Sequence, residues 1–219
     1  MKKLLALFLS LAVLLSFASC GDTEAQNEIV YLVIEEHGIV TIELYPDEAP
    51  ITVENFTSLV NRDFYDGLTF HRIIETFMIQ GGDPLGSGIG GADKDIKGEF
   101  AKNNVENNIK HVEGTISMAR SGHPYEAYHN AGYINIPFEQ REPYYNSASS
   151  QFFIVTETSD YNSRSFDGNY AAFGKVTDGM DIIKRIAGVA TDENDRPFKE
   201  VVITTITFDR AEAEAAFAK

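Results

Sequence analysis

Three scarcities limit what this chain can be: it has one cysteine, no tryptophan, and 18 Lys and Arg against 33 Asp and Glu. Because Cys20 is the only cysteine, no disulfide can form within the chain. The formal net charge of −15 argues against nucleic acid as a partner, since phosphate binding needs a basic face. It also disfavours a polybasic contact with anionic lipid. The acidity by itself indicates only good solubility.

The first 20 residues read MKKLLALFLSLAVLLSFASC. Their apolar run is too short for a typical transmembrane helix. A basic start, a short apolar run and small residues before Cys20 are typical of a signal peptide, and an uncleaved anchor is the alternative. "FASC" resembles the lipobox of bacterial lipoproteins, with Phe17 in place of the usual leucine. This implies a signal peptide over residues 1–19, lipidation of Cys20, and a tether through residue 28.

The remaining 190 or so residues suit one domain with a proper core. Alternating apolar residues in the segment 40–44 predict a half-buried strand, and helical spacing predicts one helix near 50–60 and another near 178–188. Several other short β-type runs follow without a repeating βαβ pattern. The pattern favours an antiparallel barrel or sandwich capped by helices, over residues 29–210, with residues 211–219 as a C-terminal tail.

Common catalytic and metal motifs are weak or missing. "GSGIGG" at 86–91 matches a nucleotide-binding glycine pattern, but an acidic, loop-like segment follows it where a helix is needed. None of the five histidines is paired at i, i+4, and no G-x-S-x-G nucleophile motif is present. We therefore predict no metal and no cofactor.

The stretch FYDGLTFHRIIETFMIQGGDP carries a clearer signal, because it places an arginine and a glutamine within an apolar run. It resembles the cyclophilin-type peptidyl-prolyl isomerases. So do, in family order, GIVTIELYPDEAPITVENF, GTISMAR, SQFFIVT and FDGNYAAFGKVTDGMDIIKRI. The resemblance implies a mainly β fold, an eight-stranded antiparallel β-barrel capped by two α-helices, interrupted here by a long insert at about 123–148. It also implies a monomer that binds proline-containing peptides and unfolded or folding proteins.

The resemblance assigns site residues by position. Arg72 falls on the catalytic arginine of the family. The substrate-binding positions fall on Phe77, Met78, Gln80, Ala119, Arg120, Gln151, Phe153, Phe166 and Tyr170. Arg120 stands where the family has asparagine, and is expected to add a charge beside the substrate groove.

The chemistry accounts for these residue types. Rotation about X–Pro is opposed by amide resonance, with a barrier of about 18–20 kcal/mol, and no bond has to break. At the twisted transition state the proline nitrogen becomes basic, so a donor aimed at it binds the transition state more strongly than the ground state. Arg72 can be that donor, because arginine stays protonated at any working pH. Without turnover, the same fold would be a proline-peptide binding module or chaperone, which is the alternative function.

Two departures from the family matter. The family's usual tryptophan, which supports cyclosporin binding, is absent, and we predict weak inhibition; an inhibition constant below about 1 µM would contradict this. The insert carries five of the ten tyrosines, and its ends are fixed beside the site. It is expected either to shape substrate choice or to decorate the surface. Together with Cys20, the resemblance predicts a lipid-anchored isomerase of the cell envelope, on the periplasmic face of the outer membrane, with surface exposure left open.

Overall fold

The computed structural model describes residues 28–219. Cys20, the signal peptide and most of the tether therefore lie outside the described residues. Within that range the strands are β1 (Glu28–Ile34), β2 (Gly38–Leu44), β3 (Phe70–Ile74), β4 (Met78–Gly81), β5 (Thr115–Met118), β6 (Phe152–Val155), β7 (Ala172–Asp178) and β8 (Ile203–Thr207). The helices are α1 (Pro50–Val60), α2 (Glu126–Asn130), α3 (Phe138–Tyr145), α4 (Asp160–Phe166), α5 (Met180–Ala187) and α6 (Arg210–Phe217), with one 3₁₀ turn at Ala101–Asn103.

The eight strands form one antiparallel sheet in the order β3-β4-β6-β5-β7-β2-β1-β8. Its two edges meet, because Thr69 bridges Val202 and the amide of Phe70 donates to the carbonyl of Val201 at 2.9 Å. The amide of Ile203 also donates to the carbonyl of Leu68 at 2.7 Å. These contacts close the sheet into a barrel, which removes the exposed sheet edges. The predicted fold class is confirmed.

Helix α1 covers one end of the barrel through the apolar face seen in the sequence. Phe56 on this helix is fully buried, with its ring 5.1 Å from Phe173 and 5.8 Å from Phe152. The first turn is capped by Glu99, whose carboxylate accepts from the amides of Ile51 and Thr52 at 3.1 and 2.8 Å. An anion at a helix N-terminus satisfies otherwise unpaired N–H groups and is favoured by the helix dipole.

Helix α5 is the second helix that packs on the barrel, and its Ile183 and Ile186 are completely buried. The segment 211–219, expected from the sequence to be a C-terminal tail, lies largely in helix α6. Asp209 caps α6 by accepting from the amides of Ala211 and Glu212, and Ala213 is fully buried. Thus α6 packs on β1 and β8 as part of the folded unit.

The insert is also ordered rather than a plain loop. It contains α2 and α3, and its ends are tied together where the Ser121 amide donates to the Ser147 hydroxyl at 2.9 Å. Tyr145 of α3 is fully buried against Phe100, at a ring distance of 5.3 Å. The insert therefore has its own anchor on the barrel.

Candidate active site

The odd arginine of the sequence lies at a β-bulge. In the β3–β4 pair, Phe70 faces Gly81 and Arg72 faces Gln80, so His71 is an extra residue on β3. Such a bulge shifts the alternation of side chains. It brings Arg72 out of the apolar run, and its side chain is 43% exposed rather than buried.

Strand register sets a row of side chains across the outside of the barrel. Arg72 faces Gln80, Gln80 faces Phe153, and Phe153 faces Ser117, on the neighbouring strands β3, β4, β6 and β5. Residues directly opposite each other in antiparallel pairs point to the same side of the sheet, about 5 Å apart. The register therefore places the arginine, the glutamine and the aromatic residue on one surface.

Arg72 is held by one carboxylate. Its Nε donates to Asp195 Oδ2 at 3.2 Å, and the Asp195 carbonyl accepts from the Ile73 amide at 2.8 Å. Asp195 adopts a left-handed conformation with φ of 62° in the loop before β8. The remaining guanidinium donors of Arg72 stay available on the surface.

Gln80 belongs to a chain of amide hydrogen bonds. Its Nε2 donates to Gln151 Oε1 at 2.8 Å, and Gln151 Nε2 donates to the carbonyls of Gly88 and Gly90 at 3.1 and 2.7 Å. The "GSGIGG" segment, called the glycine loop (residues 86–91) below, is thus attached to the site. It contributes carbonyl acceptors to the site.

Next to the polar row lies an aromatic cluster of Phe77, Met78, Phe153, Phe166 and Tyr170, called the aromatic pocket. Phe166 stacks on Phe77 with centroids 4.5 Å apart and lies 4.7 Å from the ring of Phe153. At these separations no proline ring fits between the rings. The open side of the cluster is formed by Phe77 and Tyr170, which are half-buried.

His111 lies behind the aromatic pocket and was missed by sequence reasoning. It is 1% exposed, with Nδ1 3.0 Å from Asp167 Oδ1 and Nε2 3.0 Å from Ser117 Oγ. Burial lowers the pKa of His111 and outweighs the opposing effect of Asp167. The ring is stacked on Phe153, so it supports the pocket as a fixed neutral group.

Arg120 does not present the free charge expected beside the groove. Its side chain is 2% exposed and forms a two-pronged pair with Glu126 of α2, at 2.7 and 3.1 Å. The guanidinium carbon also lies 4.8–5.4 Å from the ring centroids of Phe100, Tyr145 and Tyr170. The structure thus shows a sequestered ion pair that joins the insert to the aromatic pocket.

A cavity of about 410 Å³, called the side cavity, lies next to Gln80 and Ala119. It is lined by Gln80, Gly88, Ile89, Gly90, Gly91, Ala92, Asp95, Ala119, Arg120, Ser121, Ser147, Ser149 and Gln151. The site residues Gln80, Ala119, Arg120 and Gln151 therefore share one concave surface. The glycine loop and the two ends of the insert complete its wall.

The segment just before Phe166, where the family usually has a tryptophan, forms helix α4. Asn162 anchors this helix by donating to the carbonyls of Thr76 and Glu157 at 3.0 and 2.7 Å. Tyr161 is 66% exposed, with its ring 5.8 Å from that of Phe77. An exposed aromatic ring thus stands at the end of the pocket opposite Arg120.

Sequence reasoning missed Asp195, Glu126 and Tyr161. Asp195 is an ordinary acidic residue 123 positions from its partner Arg72, and Glu126 is another, six positions from Arg120. Tyr161 sits in a segment that departs from the family pattern. Apart from their residue types, nothing in the sequence indicates that these residues belong to the site.

Comparison with known proteins now identifies the chain. Residues 29–208 match the sequence model of the family described as "Cyclophilin type peptidyl-prolyl cis-trans isomerase/CLD". Peptidyl-prolyl cis-trans isomerase-like 1 of Neurospora crassa is 38% identical over 176 residues, which cover 80% of this chain and 91% of that protein. The protein of the same name from Rhizopus delemar is 40% identical over 162 residues, covering 74% and 81%.

Two solved structures of a cyclophilin-type isomerase superpose on this chain. A cyclophilin-type isomerase of Cryptosporidium parvum superposes with a TM-score of 0.66 at 26% identity, covering 83% of this chain and 97% of that one. The same Cryptosporidium parvum protein in the presence of the dipeptide Ala-Pro gives a TM-score of 0.64 at 26% identity, covering 82% and 98%. The closed barrel, with the aromatic pocket and the side cavity on its surface, is therefore the fold of a peptidyl-prolyl isomerase. The chain belongs to the cyclophilin-type peptidyl-prolyl cis-trans isomerase family, and it is an enzyme of that type.

Within residues 28–219, no helix has the length and apolarity needed to cross a bilayer. No group of three or more His, Cys, Asp or Glu side chains in the same range is placed to hold a metal ion.

Proposed function

We propose that Arg72 is the catalytic residue of this isomerase and donates a hydrogen bond to the proline nitrogen as the X–Pro bond twists. The observation that carries this is the strand register, which places Arg72, Gln80 and Phe153 in one row on the barrel surface. Arg72 is pinned by one hydrogen bond to Asp195 and is 43% exposed. It is thus fixed in direction yet open to a peptide.

The remaining predicted residues take binding roles around that donor. The open side of the aromatic pocket receives the proline ring against Phe77 and Tyr170, while Met78, Phe153 and Phe166 support it from below. Gln80 and Gln151 hold the peptide backbone, and Ala119 contacts the residue before proline. Arg120 acts indirectly, through Tyr170 and the insert.

The electrostatic effect is strongest at the transition state. In the planar amide the proline nitrogen's lone pair is delocalised, and it becomes a good acceptor only when rotation breaks the resonance. A preorganised donor at such a position contributes a 10²- to 10³-fold rate factor, or about 3–4 kcal/mol. Desolvation by the aromatic pocket strengthens the same interaction.

The decisive experiment measures cis/trans exchange of an Ala-Pro peptide by NMR. Arg72→Ala is expected to lower kcat/KM by about 10²-fold or more, and Arg72→Lys by less, because it keeps the charge but loses the planar fork. Arg196→Ala is the matched control, because this exposed arginine of the same loop hydrogen-bonds Gly86 instead. Equal rates for wild type and Arg72→Ala would reject the assignment.

We further propose that the enzyme acts on folding proteins of the cell envelope and is held at a membrane by lipid on Cys20. This proposal rests on the first 20 residues, with their basic start, short apolar run and "FASC". The periplasmic face of the outer membrane is the proposed location. Lipid-dependent fractionation, described in the Discussion, tests it.

The alternative expected from the sequence is a proline-peptide binding module or chaperone with little turnover, and membership of an isomerase family weighs against it. The Arg72→Ala comparison separates the two. A pure binder would show near-background exchange in both proteins and unchanged peptide affinity.

A further inference from the structure

We infer that the side cavity selects peptides with a basic side chain two positions before the proline. The inference rests on the proposed function of the groove, and it names the substrate class that this chain's own residues favour. It depends on three features of the cavity wall: the orientation of the glycine loop, the pairing of Arg120, and the position of Asp95.

The glycine loop turns the carbonyls of Gly88 and Gly90 toward the cavity. Asp83 lies behind this loop, 1% exposed, and accepts from the amides of Leu85, Ser87 and Gly88 at 2.8, 2.9 and 2.5 Å. With these N–H groups directed inward, the carbonyls of Gly88 and Gly90 are left to accept from Gln151 on the cavity side. A surface of carbonyl acceptors suits a cationic donor.

Asp83 adds a fixed negative charge behind that wall. Burial alone would raise the pKa of Asp83, but the backbone donors of Leu85, Gly88, Gly90 and Ser87 together hold the pKa below its ordinary value. Gly90 has no room for a side chain, because a Cβ there would collide with Asp83 Oδ1. The carboxylate and the loop are therefore built as one unit.

The positive charge of Arg120 could oppose the negative charge of Asp83, but it is already neutralised. Arg120 lines the cavity, but its guanidinium is paired with both carboxylate oxygens of Glu126 and is 2% exposed. Lys94 lines a different cavity beside α1, and Arg196 is held at Gly86. Among the described residues that line the side cavity, Asp95 then carries the one unpaired charge.

The geometry of the groove sets which peptide residue enters. The residue before proline is assigned to Ala119, and an extended chain advances about 3.3 Å per residue. The side cavity runs from Ala119 to Asp95 and to Ser121 and Ser147 at the ends of the insert. The next residue upstream therefore reaches it, and a Lys or Arg side chain can span the cavity to Asp95.

The test uses capped peptides Gly-Xaa-Ala-Pro-Phe, with Lys, Ala or Glu at Xaa, in the exchange assay. At low salt we expect kcat/KM to be about fivefold higher for Lys than for Ala, and lower again for Glu, as for a single partly exposed ion pair. The difference should shrink in 0.5 M NaCl, where the screening length is only about 4 Å.

Two matched variants locate the effect. Asp95→Asn should reduce the Lys preference, measured as the ratio of the Lys rate to the Ala rate in the same variant, to less than about twofold. Asp93→Asn removes the same charge two residues away, from a residue that lines the other cavity, and should preserve the preference. Equal rates for Lys and Ala in wild type, or equal effects of both variants, would overturn the inference.

The two proposals fail separately. If Arg72→Ala leaves Ala-peptide exchange unchanged, the catalytic assignment is wrong whatever the Lys preference. If exchange depends on Arg72 but shows no preference at Xaa, only the cavity inference is lost.

Discussion

At the scale of single residues, Phe166 decides how the aromatic pocket can receive a proline. Its ring stacks on Phe77 at 4.5 Å, lies 4.7 Å from Phe153, and is only 4% exposed. The ring fills space that a smaller side chain would leave open. We therefore expect proline binding to be shallow, with the ring resting on Phe77 and Tyr170.

Phe166→Leu tests this. A leucine removes the stack and opens space beside Phe77, so KM for an Ala-Pro peptide should fall, with kcat/KM rising about two- to fivefold. The loss of buried ring surface should lower the free energy of unfolding by about 1–2 kcal/mol. Exchange kinetics and urea unfolding measure the two effects. A rise in KM would show that Phe166 itself binds the proline, as a wall of a deeper pocket.

At the scale of elements, one charged pair connects helix α2 of the insert to the barrel, beside the anchor at Tyr145. Arg120 and Glu126 have side-chain exposures of only 2% and 13%, and three aromatic rings surround the guanidinium. A buried charge that loses its partner is strongly destabilising, whereas replacing both partners by apolar residues is often neutral. The pair thus makes the position of α2 depend on the barrel.

We expect Glu126→Ala to lower the free energy of unfolding by about 3–5 kcal/mol, because it leaves Arg120 buried and unpaired. The double variant Arg120→Met/Glu126→Leu should recover most of that loss. Glu139→Ala is the control, since Glu139 is an exposed glutamate of the same insert on α3. Urea unfolding measures all three, and a loss no larger than that of the control would mean that the pair does not hold the insert.

The elements also show where sequence reasoning works and where it stops. The hairpin of β1 and β2, helix α1 and helix α5 follow from local periodicity, because their apolar faces are written in consecutive residues. The cap of α1 by Glu99 and the order in α2, α3 and α4 are not local, since they depend on partners that only the closed barrel brings near. The placement of Arg72 needed the bulge at His71, and a bulge leaves no clear pattern in the sequence.

At the scale of the whole molecule, several ionisable groups should make the fold less stable as the pH falls. Burial lowers the pKa of His71 and of His111, each despite a nearby aspartate. Both ring nitrogens of His71 are buried with no hydrogen-bond partner among the described residues. For Asp167 and Glu126, burial opposes the shift, but hydrogen bonds to His111 and Arg120 respectively hold each pKa below its ordinary value.

The direction in which stability changes with pH follows from the type of group. A histidine with a lowered folded pKa binds its proton more readily when unfolded, so its contribution is complete above about pH 6.5 and is lost as the pH falls. A carboxylate with a lowered pKa contributes above about pH 4 and loses that contribution as the pH falls further. We expect the urea midpoint to be level from pH 7 to 8 and to fall below pH 6.5. His71→Gln should flatten the fall between pH 6.5 and 5, whereas His123→Gln, on the insert, should not.

The membrane attachment proposed above gets no help from the charge of the molecule. A net charge of −15 repels anionic lipid, so the proposal assigns attachment to lipidated Cys20 alone. Residues 20–28 can extend at most about 30 Å, at roughly 3.3–3.6 Å per residue. A tether of that length would let the barrel stand clear of the bilayer.

Cys20→Ala, expressed in a bacterial host, should therefore move the protein from the membrane fraction to the soluble fraction. Its kcat/KM on an Ala-Pro peptide should be unchanged, because the groove lies within residues 28–219 and the anchor lies outside them. Cys20→Ala and wild type should also differ by the mass of the acyl chains. Retention of the variant on the membrane in high salt would assign attachment to the apolar run itself, as an uncleaved anchor, and would reject lipidation as its cause.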